Sequence, residues 1–327
     1  MFPAWEPTRG HGEGVRSSYM GVPPLRWGIT RCPPIHLTGP RASGGIGDAP
    51  ELQTVSCGMT NMDHLPPLKG RFPFRLGTTS YIIPDAILPN IRFLGPYLDE
   101  VELVLFDSGR EENLPSHGEI EEMAHLGEEM ELTYNVHLPA DIFLGDPDPK
   151  VRELAIVTAI RFYQRTVPLS PTAFVLHLDS RGADGHEVRS MEGWIGWLRG
   201  SMVRLAREGM DLRRVAVENL DYPLDTISPL VAEFGMSFCL DTGHLLRYGF
   251  DLRTYLESFL PQTSMIHLHG VVDGADHRGA HGIPPVEWRA ISEALAGYRG
   301  GVSLEVFSLQ DLSSSMDRLW ETLNRVP

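Results

Sequence analysis

Six short apolar segments of this chain each end in a side chain that can bind a metal ion. They read YNVHL, FVLHLD, VAVEN, SFCLD, SMIHLH and SLEV, and the candidate ligands at their ends are His137, His177, Glu218, Asp241, His267 and Glu305. Taken alone, a His or Glu at a strand end is more often a solvated or hydrogen-bonded residue than a ligand. Because the pattern recurs at the same end of successive segments, we interpret it as a cluster of divalent metal ions.

Two further segments extend the set of candidate ligands. Asp241 and His244 lie in the sequence DTGH, where a turn through Gly243 would let both side chains converge on one ion. Asp276 and His277 lie in the segment DGADHRGAHG, for which we predict a loop after the seventh strand. The predicted metal ligands are therefore His137, His177, Glu218, Asp241, His244, His267, Asp276, His277 and Glu305.

The types of these ligands favour certain metals. Imidazole and carboxylate groups together suit Zn²⁺, Mn²⁺ or Fe²⁺, whereas Ca²⁺ prefers oxygen ligands alone. We expect about two or three divalent ions per chain, with Zn²⁺ preferred and Mn²⁺ or Fe²⁺ as alternatives.

Strand and helix patterns alternate from Phe74 to the C-terminus. Each apolar run is followed by a stretch with helical periodicity, and this unit occurs eight times. Repeated units of this kind form a parallel sheet with right-handed crossovers, and eight units favour closure of the sheet. The predicted fold class is α/β, with a single (β/α)8 barrel over residues 71–327. The ligands would then gather at the C-terminal ends of the barrel strands.

The alternation of side chains along the strands supports this placement. If the ligands point into the barrel, the residues two positions earlier point inward as well, and these are Asn135, Val175, Ala216, Cys239 and Ser303. They are small or moderate in size, as a tapered barrel interior requires. The outward positions are apolar and suit packing under helices: Val136, Leu176, Val217, Leu240 and Leu304.

Glu218 and Glu305 are the candidate catalytic residues, because they end strands that would face each other across the barrel mouth. Clustered cations lower the pKa of a bridging water, so that a metal-activated hydroxide can attack a phosphodiester. One ion with a pair of carboxylates would instead suit sugar isomerisation, in which a Glu moves a proton. The additional histidines favour hydrolysis, because they can hold further ions.

Three other polar residues would lie near the same mouth. His269, His281 and Glu102 are candidate substrate contacts. For Glu102 three further roles remain open: a metal ligand, a partner of a ligand, or a buried polar group near the barrel floor.

Residues 1–70 differ in composition from the rest of the chain. They contain ten prolines and eleven glycines without sustained periodicity. This composition is typical of a disordered or loosely attached leader. A functional N-terminal arm is the alternative interpretation.

Overall composition narrows the class of protein. The chain has 327 residues, of which 42% are hydrophobic, and its net charge of −15 disfavours a nucleic-acid partner. Cys32, Cys57 and Cys239 lack metal-ligand spacing, and we expect Cys239 to be a buried thiol below the ligands. Because no signal pattern or long apolar stretch occurs, we expect a cytoplasmic protein without a membrane partner.

With these residues considered together, the region from Phe74 onward resembles the xylose-isomerase-like barrel superfamily, which includes endonuclease IV-type hydrolases. The pattern of ligands is similar to the trinuclear zinc site of those hydrolases. The resemblance implies ligand roles for His137, His177, Glu218, Asp241, His244, His267 and Glu305. That family also has an Asp-x-His pair, whereas here Asp276 is directly followed by His277.

Local motifs resemble a narrower group, the cobamide-remodelling phosphodiesterases. The segments are LGTTSYI-PD, LPNIRFL, VELVLFD, NLPS and YNVHLPADIFLGD. The resemblance implies hydrolysis of the nucleotide loop of a cobamide, a small-molecule substrate that agrees with the acidic balance of the chain. Two alternatives remain open: a sugar isomerase or epimerase with one divalent ion, and a corrinoid-binding barrel without catalysis.

A corrinoid ring is large, so aromatic residues could flank it at the mouth. The candidates are Trp194, Trp197, Tyr81 and Phe143. For the two tryptophans, packing between helices is the favoured interpretation.

Overall fold

A computed structural model of the chain describes residues 65–105, 107–109 and 113–324. Most of the predicted leader, residues 1–64, lies outside the described part. Its last six residues belong to the barrel instead, since Leu65 and Leu68 are buried in the core. Lys69 Nζ donates hydrogen bonds to the carbonyl oxygens of Gly95 (3.1 Å) and Met130 (2.5 Å), at the ends of two helices. The packed domain therefore begins before residue 71.

The predicted (β/α)8 barrel is confirmed. The eight barrel strands are β1 (Arg75–Thr79), β2 (Glu100–Val104), β3 (Thr133–His137), β4 (Phe174–Leu176), β5 (Val215–Glu218), β6 (Ser237–Asp241), β7 (Thr263–Leu268) and β10 (Gly301–Leu304). They pair in parallel throughout and close in the order β1-β10-β7-β6-β5-β4-β3-β2.

Helices follow the barrel strands around the outside. They are α1 (Ile87–Leu94), α2 (His117–Met130), α3 (Pro149–Thr166), α4 (Met191–Arg207), α5 (Ser228–Glu233), α6 (Thr242–Tyr248), α7 (Leu252–Phe259), α8 (Pro285–Gly297) and α9 (Leu309–Leu323). Local capping explains several of their starts. Ser116 and Glu119 form a capping box on α2, and the Asp148 side chain caps α3, whose first residue is a proline. Among the described helices, none is long and apolar enough to span a membrane.

A short antiparallel hairpin interrupts the connection after β7. Its strands are β8 (Gly270–Val272) and β9 (Ala275–Arg278). Asp273 and Gly274 form the turn, and both have positive φ, 52° and 77°. An Asp-Gly pair is the preferred sequence for such a turn, so this hairpin replaces the plain loop that we predict for the segment.

The predicted inward and outward registers are also confirmed. Val175, Ala216 and Cys239 form a buried apolar layer inside the barrel together with Ala173 and Met265. The five residues predicted to face outward all belong to the larger core between the sheet and the helices: Val136, Leu176, Val217, Leu240 and Leu304. The next inward layer above Val175, Ala216 and Cys239 therefore consists of the strand-end ligands.

Candidate metal centre

Glu218, the last residue of β5, lies at the centre of the predicted ligands. Its Oε2 atom is 3.2 Å from His137 Nε2, 3.1 Å from His177 Nε2 and 3.4 Å from His267 Nδ1. Its other oxygen, Oε1, is 3.1 Å from His244 Nδ1. One carboxylate thus faces imidazoles from four different parts of the chain. A carboxylate approached on both oxygens is suited to bridge two ions.

Two more carboxylates complete the acidic side of the cluster. Glu305, directly after β10, places Oε2 3.1 Å from His267 Nδ1 and 3.5 Å from His277 Nε2. Asp241, the last residue of β6, has Oδ2 3.3 Å from His244 Nδ1. We call these eight residues the ligand cluster: His137, His177, Glu218, Asp241, His244, His267, His277 and Glu305.

The DTGH segment reaches this geometry differently from the prediction. The chain does not turn through Gly243, because α6 begins directly after Asp241. Asp241 caps that helix, and its Oδ1 accepts the backbone N–H of His244 at 2.8 Å. The helical spacing therefore brings the Asp241 and His244 side chains to one place.

Asn219 fixes the position of Asp241, and it is not among the predicted site residues. Its Oδ1 accepts the backbone N–H of Asp241 at 2.7 Å, and its Nδ2 donates to the Asp241 carbonyl at 3.0 Å. Asn219 is fully buried and follows Glu218 directly. Its position next to a predicted ligand is the one signal that the sequence offers for this role.

The cluster contains buried atoms that fit a bound cation. Among the described residues, His177 Nε2, His267 Nδ1 and Glu305 Oε2 are buried, and their contacts at 3.1 Å with Glu218 or with each other do not have the geometry of hydrogen bonds. Such atoms are costly inside a protein unless something coordinates them. Glu218, Asp241, His267 and Glu305 offer ligand atoms within 4.8 Å of one another, and so do His137, Glu218 and His267. The donor set is mixed nitrogen and oxygen, which suits zinc, manganese or iron.

The mutual proximity of acids and imidazoles shifts their ionisation. Burial opposes a charge on His244, but Asp241 and Glu218 outweigh it and raise its pKa to about 9. Burial likewise opposes ionisation of Glu218, yet His177 and His267 hold its pKa well below the usual range. Without metal, His244 therefore holds a proton near neutral pH beside the ionised carboxylate of Glu218, and a cation that binds there must displace that proton.

Not every predicted ligand joins the cluster. Asp276, on β9, pairs its carboxylate with Arg247 and places Oδ1 3.2 Å from His277 Nδ1. It takes no part in the described groups of three or more close ligand atoms. His277 does reach the cluster, through its Nε2 atom beside Glu305. Asp276 instead contacts the Nδ1 side of the His277 ring, and its carboxylate pairs with the guanidinium of Arg247.

The three candidate substrate contacts have different surroundings. Glu102 is fully buried on β2, where its Oε1 lies 2.9 Å from His267 Nε2 and its Oε2 accepts the Ser303 hydroxyl at 2.5 Å. It therefore lies beneath His267, away from the mouth. His269 is also fully buried, with Nε2 3.0 Å from Asp241 Oδ1. His281 is exposed on the turn Ala280–Gly282.

The four aromatic candidates also lie in different surroundings. Trp194 is fully buried, and its Nε1 donates to the Asp179 carbonyl at 3.0 Å, so the packing interpretation holds for it. Trp197 is half-buried on α4, with the Arg152 guanidinium over its ring. Tyr81 and Phe143 are half-buried in the loops that follow β1 and β3, at the ligand end of the barrel.

Cys239 behaves as the predicted buried thiol. It pairs in register with Glu218 and lies two residues before Asp241. Burial raises the pKa of its thiol far above the ordinary value. Cys239 belongs to no group of close ligand atoms among the described residues, and it packs in the apolar layer below the cluster.

Comparison with known proteins supports the architecture. The model of a protein family described as a xylose isomerase-like TIM barrel matches residues 95–322. Among curated protein sequences, none matches the chain.

Solved structures of similar shape include enzymes of two kinds. D-psicose 3-epimerase from Clostridium cellulolyticum is 16% identical, with a TM-score of 0.61 and coverage of 76% of this chain and 99% of that one. Endonuclease IV from Thermus thermophilus is 16% identical, with a TM-score of 0.60 and coverage of 77% and 100%. A 3-keto-D-glucoside 4-epimerase from E. coli is 16% identical, with a TM-score of 0.57 and coverage of 77% and 99%. At these identities the likeness shows the fold alone.

Proposed function

We propose that this chain, which belongs to the xylose isomerase-like TIM barrel family, is a metal-dependent phosphodiesterase acting on the nucleotide loop of a cobamide. One observation carries the hydrolytic assignment. The carboxylate of Glu218 is approached on one oxygen by His137, His177 and His267, and on the other by His244. Together with Asp241 and Glu305, these groups exceed the ligands that one zinc ion takes. A site for more than one ion is the arrangement that hydrolysis of phosphodiesters uses.

The ligand cluster would hold about two or three divalent ions, zinc preferred, with manganese or iron as alternatives. When bound, such ions lower the pKa of water and stabilise negative charge on phosphate oxygens. Glu218 and Glu305 would both be ligands of these ions. The Glu102 carboxylate contacts Nε2 of His267. Glu102 would therefore hold the His267 ring so that its Nδ1 atom faces the cluster.

The substrate assignment rests on the resemblance of local motifs. LGTTSYI-PD and YNVHLPADIFLGD lie on β1, β3 and the loops that follow them. These loops are at the ligand end of the barrel, where substrates of such barrels bind. Tyr81 and Phe143 lie in them and would contact the corrinoid. The net charge of −15 agrees with a small-molecule phosphodiester rather than a nucleic acid.

The deciding experiment is direct. Purified protein loaded with zinc, manganese or iron is incubated with a cobamide, and products are analysed by mass. We expect a product of the cobinamide type, and none with Glu218→Gln. A failure of all three metal forms to release any such product would falsify the phosphodiesterase assignment.

A second candidate is a sugar epimerase with one ion. Two of the similar structures are sugar epimerases, and Glu218, Asp241, His267 and Glu305 alone could hold one ion. Metal analysis of the purified protein separates the two candidates. More than one ion per chain favours hydrolysis, whereas a single ion together with epimerisation of a ketose favours the epimerase. Corrinoid binding without turnover, unchanged in Glu218→Ala, would favour a non-catalytic barrel.

A further inference from the structure

His269 lies between a carboxylate of the ligand cluster and the backbone of the hairpin. It directly precedes β8 and is fully buried. On one side, its Nε2 is 3.0 Å from Asp241 Oδ1 and 3.1 Å from Oδ2. On the other side, its Nδ1 accepts the backbone N–H of His277 at 2.9 Å. The imidazole therefore connects the end of β6 to the strand that carries His277.

These contacts determine the tautomer of His269. Nδ1 also lies 3.2 Å from the Gly270 carbonyl oxygen, but the backbone N–H of His277 is closer at 2.9 Å and can only donate, so we assign Nδ1 as the accepting nitrogen, without a proton. The remaining proton lies on Nε2, which donates to the Asp241 carboxylate. Both ring nitrogens of His269 are therefore engaged in hydrogen bonds within the protein.

The relative orientation of the His269 and His277 rings also differs from that of two imidazoles that bind the same ion. The rings of His269 and His277 are stacked, with centroids 4.4 Å apart and an angle of 20° between their planes. His244, His269 and His277 do place ligand atoms within 4.8 Å of one another. The hydrogen bonds of His269, however, run to Asp241 and to the His277 backbone, and they account for its position without an ion.

The packing at Gly243 and the backbone conformation of His277 show that the surroundings of His269 are tight. A Cβ atom on Gly243 would lie 2.0 Å from His269 Cε1 and 2.2 Å from Nδ1, so the ring packs directly on that glycine. His277 has a φ of 54°, in the left-handed region that a residue with a side chain seldom adopts. Such a conformation persists where the surroundings hold it, and strained residues of this kind cluster at functional sites.

We propose that His269 is a positioning residue, which orients Asp241 and holds His277 in its left-handed conformation at the ligand cluster. The inference rests on the proposed function only in treating Asp241 and His277 as metal ligands. It replaces the expectation that His269 contacts substrate.

The test separates the two hydrogen bonds of His269. In His269→Asn, the amide oxygen can take the place of Nδ1 as acceptor, while the donor to Asp241 is lost. In His269→Gln, the amide nitrogen can take the place of Nε2 as donor, while the acceptor for His277 is lost. The matched control is His125, an exposed histidine on α2, changed to Asn and to Gln.

Two measurements that do not depend on catalysis are made on each variant. Hydrogen exchange of the His277 amide is followed in the metal-free protein, and zinc affinity is measured by competition with a chromophoric chelator. We expect exchange to be at least about tenfold faster in His269→Gln and near wild type in His269→Asn. We expect zinc affinity to fall by about 10- to 100-fold in His269→Asn and less in His269→Gln. Both His125 variants should match wild type.

Other outcomes would overturn the proposal. Unchanged exchange and affinity in both variants would show that His269 positions nothing, and the loss of one bound ion with unchanged exchange would show that it is a ligand.

The unmutated protein provides an independent check that needs no variant to fold. Long-range ¹H–¹⁵N spectra should show His269 protonated at Nε2, and a proton on Nδ1 would contradict the inference. Because these measurements involve no turnover, the inference can fail while the phosphodiesterase assignment stands, and the reverse.

Discussion

The Nε2 atom of His267 lies 2.9 Å from the Glu102 carboxylate, so the Nδ1 atom of the same ring faces Glu218 and Glu305. Both His267 and Glu102 are fully buried. A carboxylate behind a metal-binding histidine fixes the tautomer and the orientation of the ring. Glu102 itself accepts a hydrogen bond from the hydroxyl of Ser303 on β10.

Glu102→Gln should weaken metal binding while leaving every ligand in place. We expect zinc affinity to fall by about 10- to 100-fold, because the His267 ring loses its charged partner. Competition titration with a chelator measures this change. Glu257→Gln, the same substitution at an exposed site on α7, is the control and should leave the affinity unchanged. Equal affinities for Glu102→Gln and wild type would show that Glu102 does not support His267.

Glu218→Gln should have a larger effect, since that carboxylate contacts imidazoles on both of its oxygens. We expect the number of bound ions per chain to fall and cobamide cleavage to decrease by more than about 100-fold. Elemental analysis and product mass spectrometry measure the two quantities. Retention of every ion with full turnover would exclude a bridging role for Glu218.

Stability of the metal-free protein should depend on pH in a defined direction. The pKa of His244 is raised to about 9, above its ordinary value of 6.5, because Asp241 and Glu218 outweigh the effect of burial. The resulting stabilisation is fully present below about pH 6.5 and is lost as the pH rises through about 9. We expect a loss on the order of 2–3 kcal/mol across this window, measured by urea unfolding.

Excess zinc should reverse that trend. Metal binding must release the protons held by the imidazoles, so zinc affinity rises with pH, and zinc-loaded protein should gain stability from about pH 6.5 to about 9. Calorimetry in buffers of different ionisation enthalpy should show proton release near neutral pH. Binding of zinc without proton release would contradict the raised pKa of His244.

Gly243→Ala tests the tight packing at DTGH. The added Cβ would lie 2.0–2.5 Å from the His269 ring, so we expect a loss of about 1–3 kcal/mol in the free energy of unfolding. Gly200→Ala, on α4 with nothing within 4 Å of the new Cβ, is the control. That change should be neutral or stabilising by about 0.5–1 kcal/mol, because it favours the helix. A tolerated Gly243→Ala would mean that the His269 ring has room to move.

Much of this architecture is predictable because its signals are local. The alternation of period two along Val215–Glu218 and Ser237–Asp241 places the ligands inside the barrel, and the residues between them outside. The turn at Asp273 and Gly274 is equally local, because an Asp-Gly pair favours the hairpin that is found where we predict a loop. Asp276 illustrates the opposite case. Its type and position suit a ligand, but Arg247 on α6 pairs with it, and nothing near it in the sequence indicates that contact.

From the sequence alone follow the closed α/β barrel, the end of it that bears the ligands, and the mixed imidazole and carboxylate chemistry. These depend on residue type and on periodicity over a few residues. Only the tertiary structure decided which buried groups hold the ligands: Glu102 behind His267, Asn219 beside Asp241, and His269 between Asp241 and His277. Glu102 and His267 are 165 positions apart, and only closure of the barrel brings them into contact. No local pattern records such a contact, because the two groups meet only in the folded interior, where their pairing offsets the cost of burying both of them.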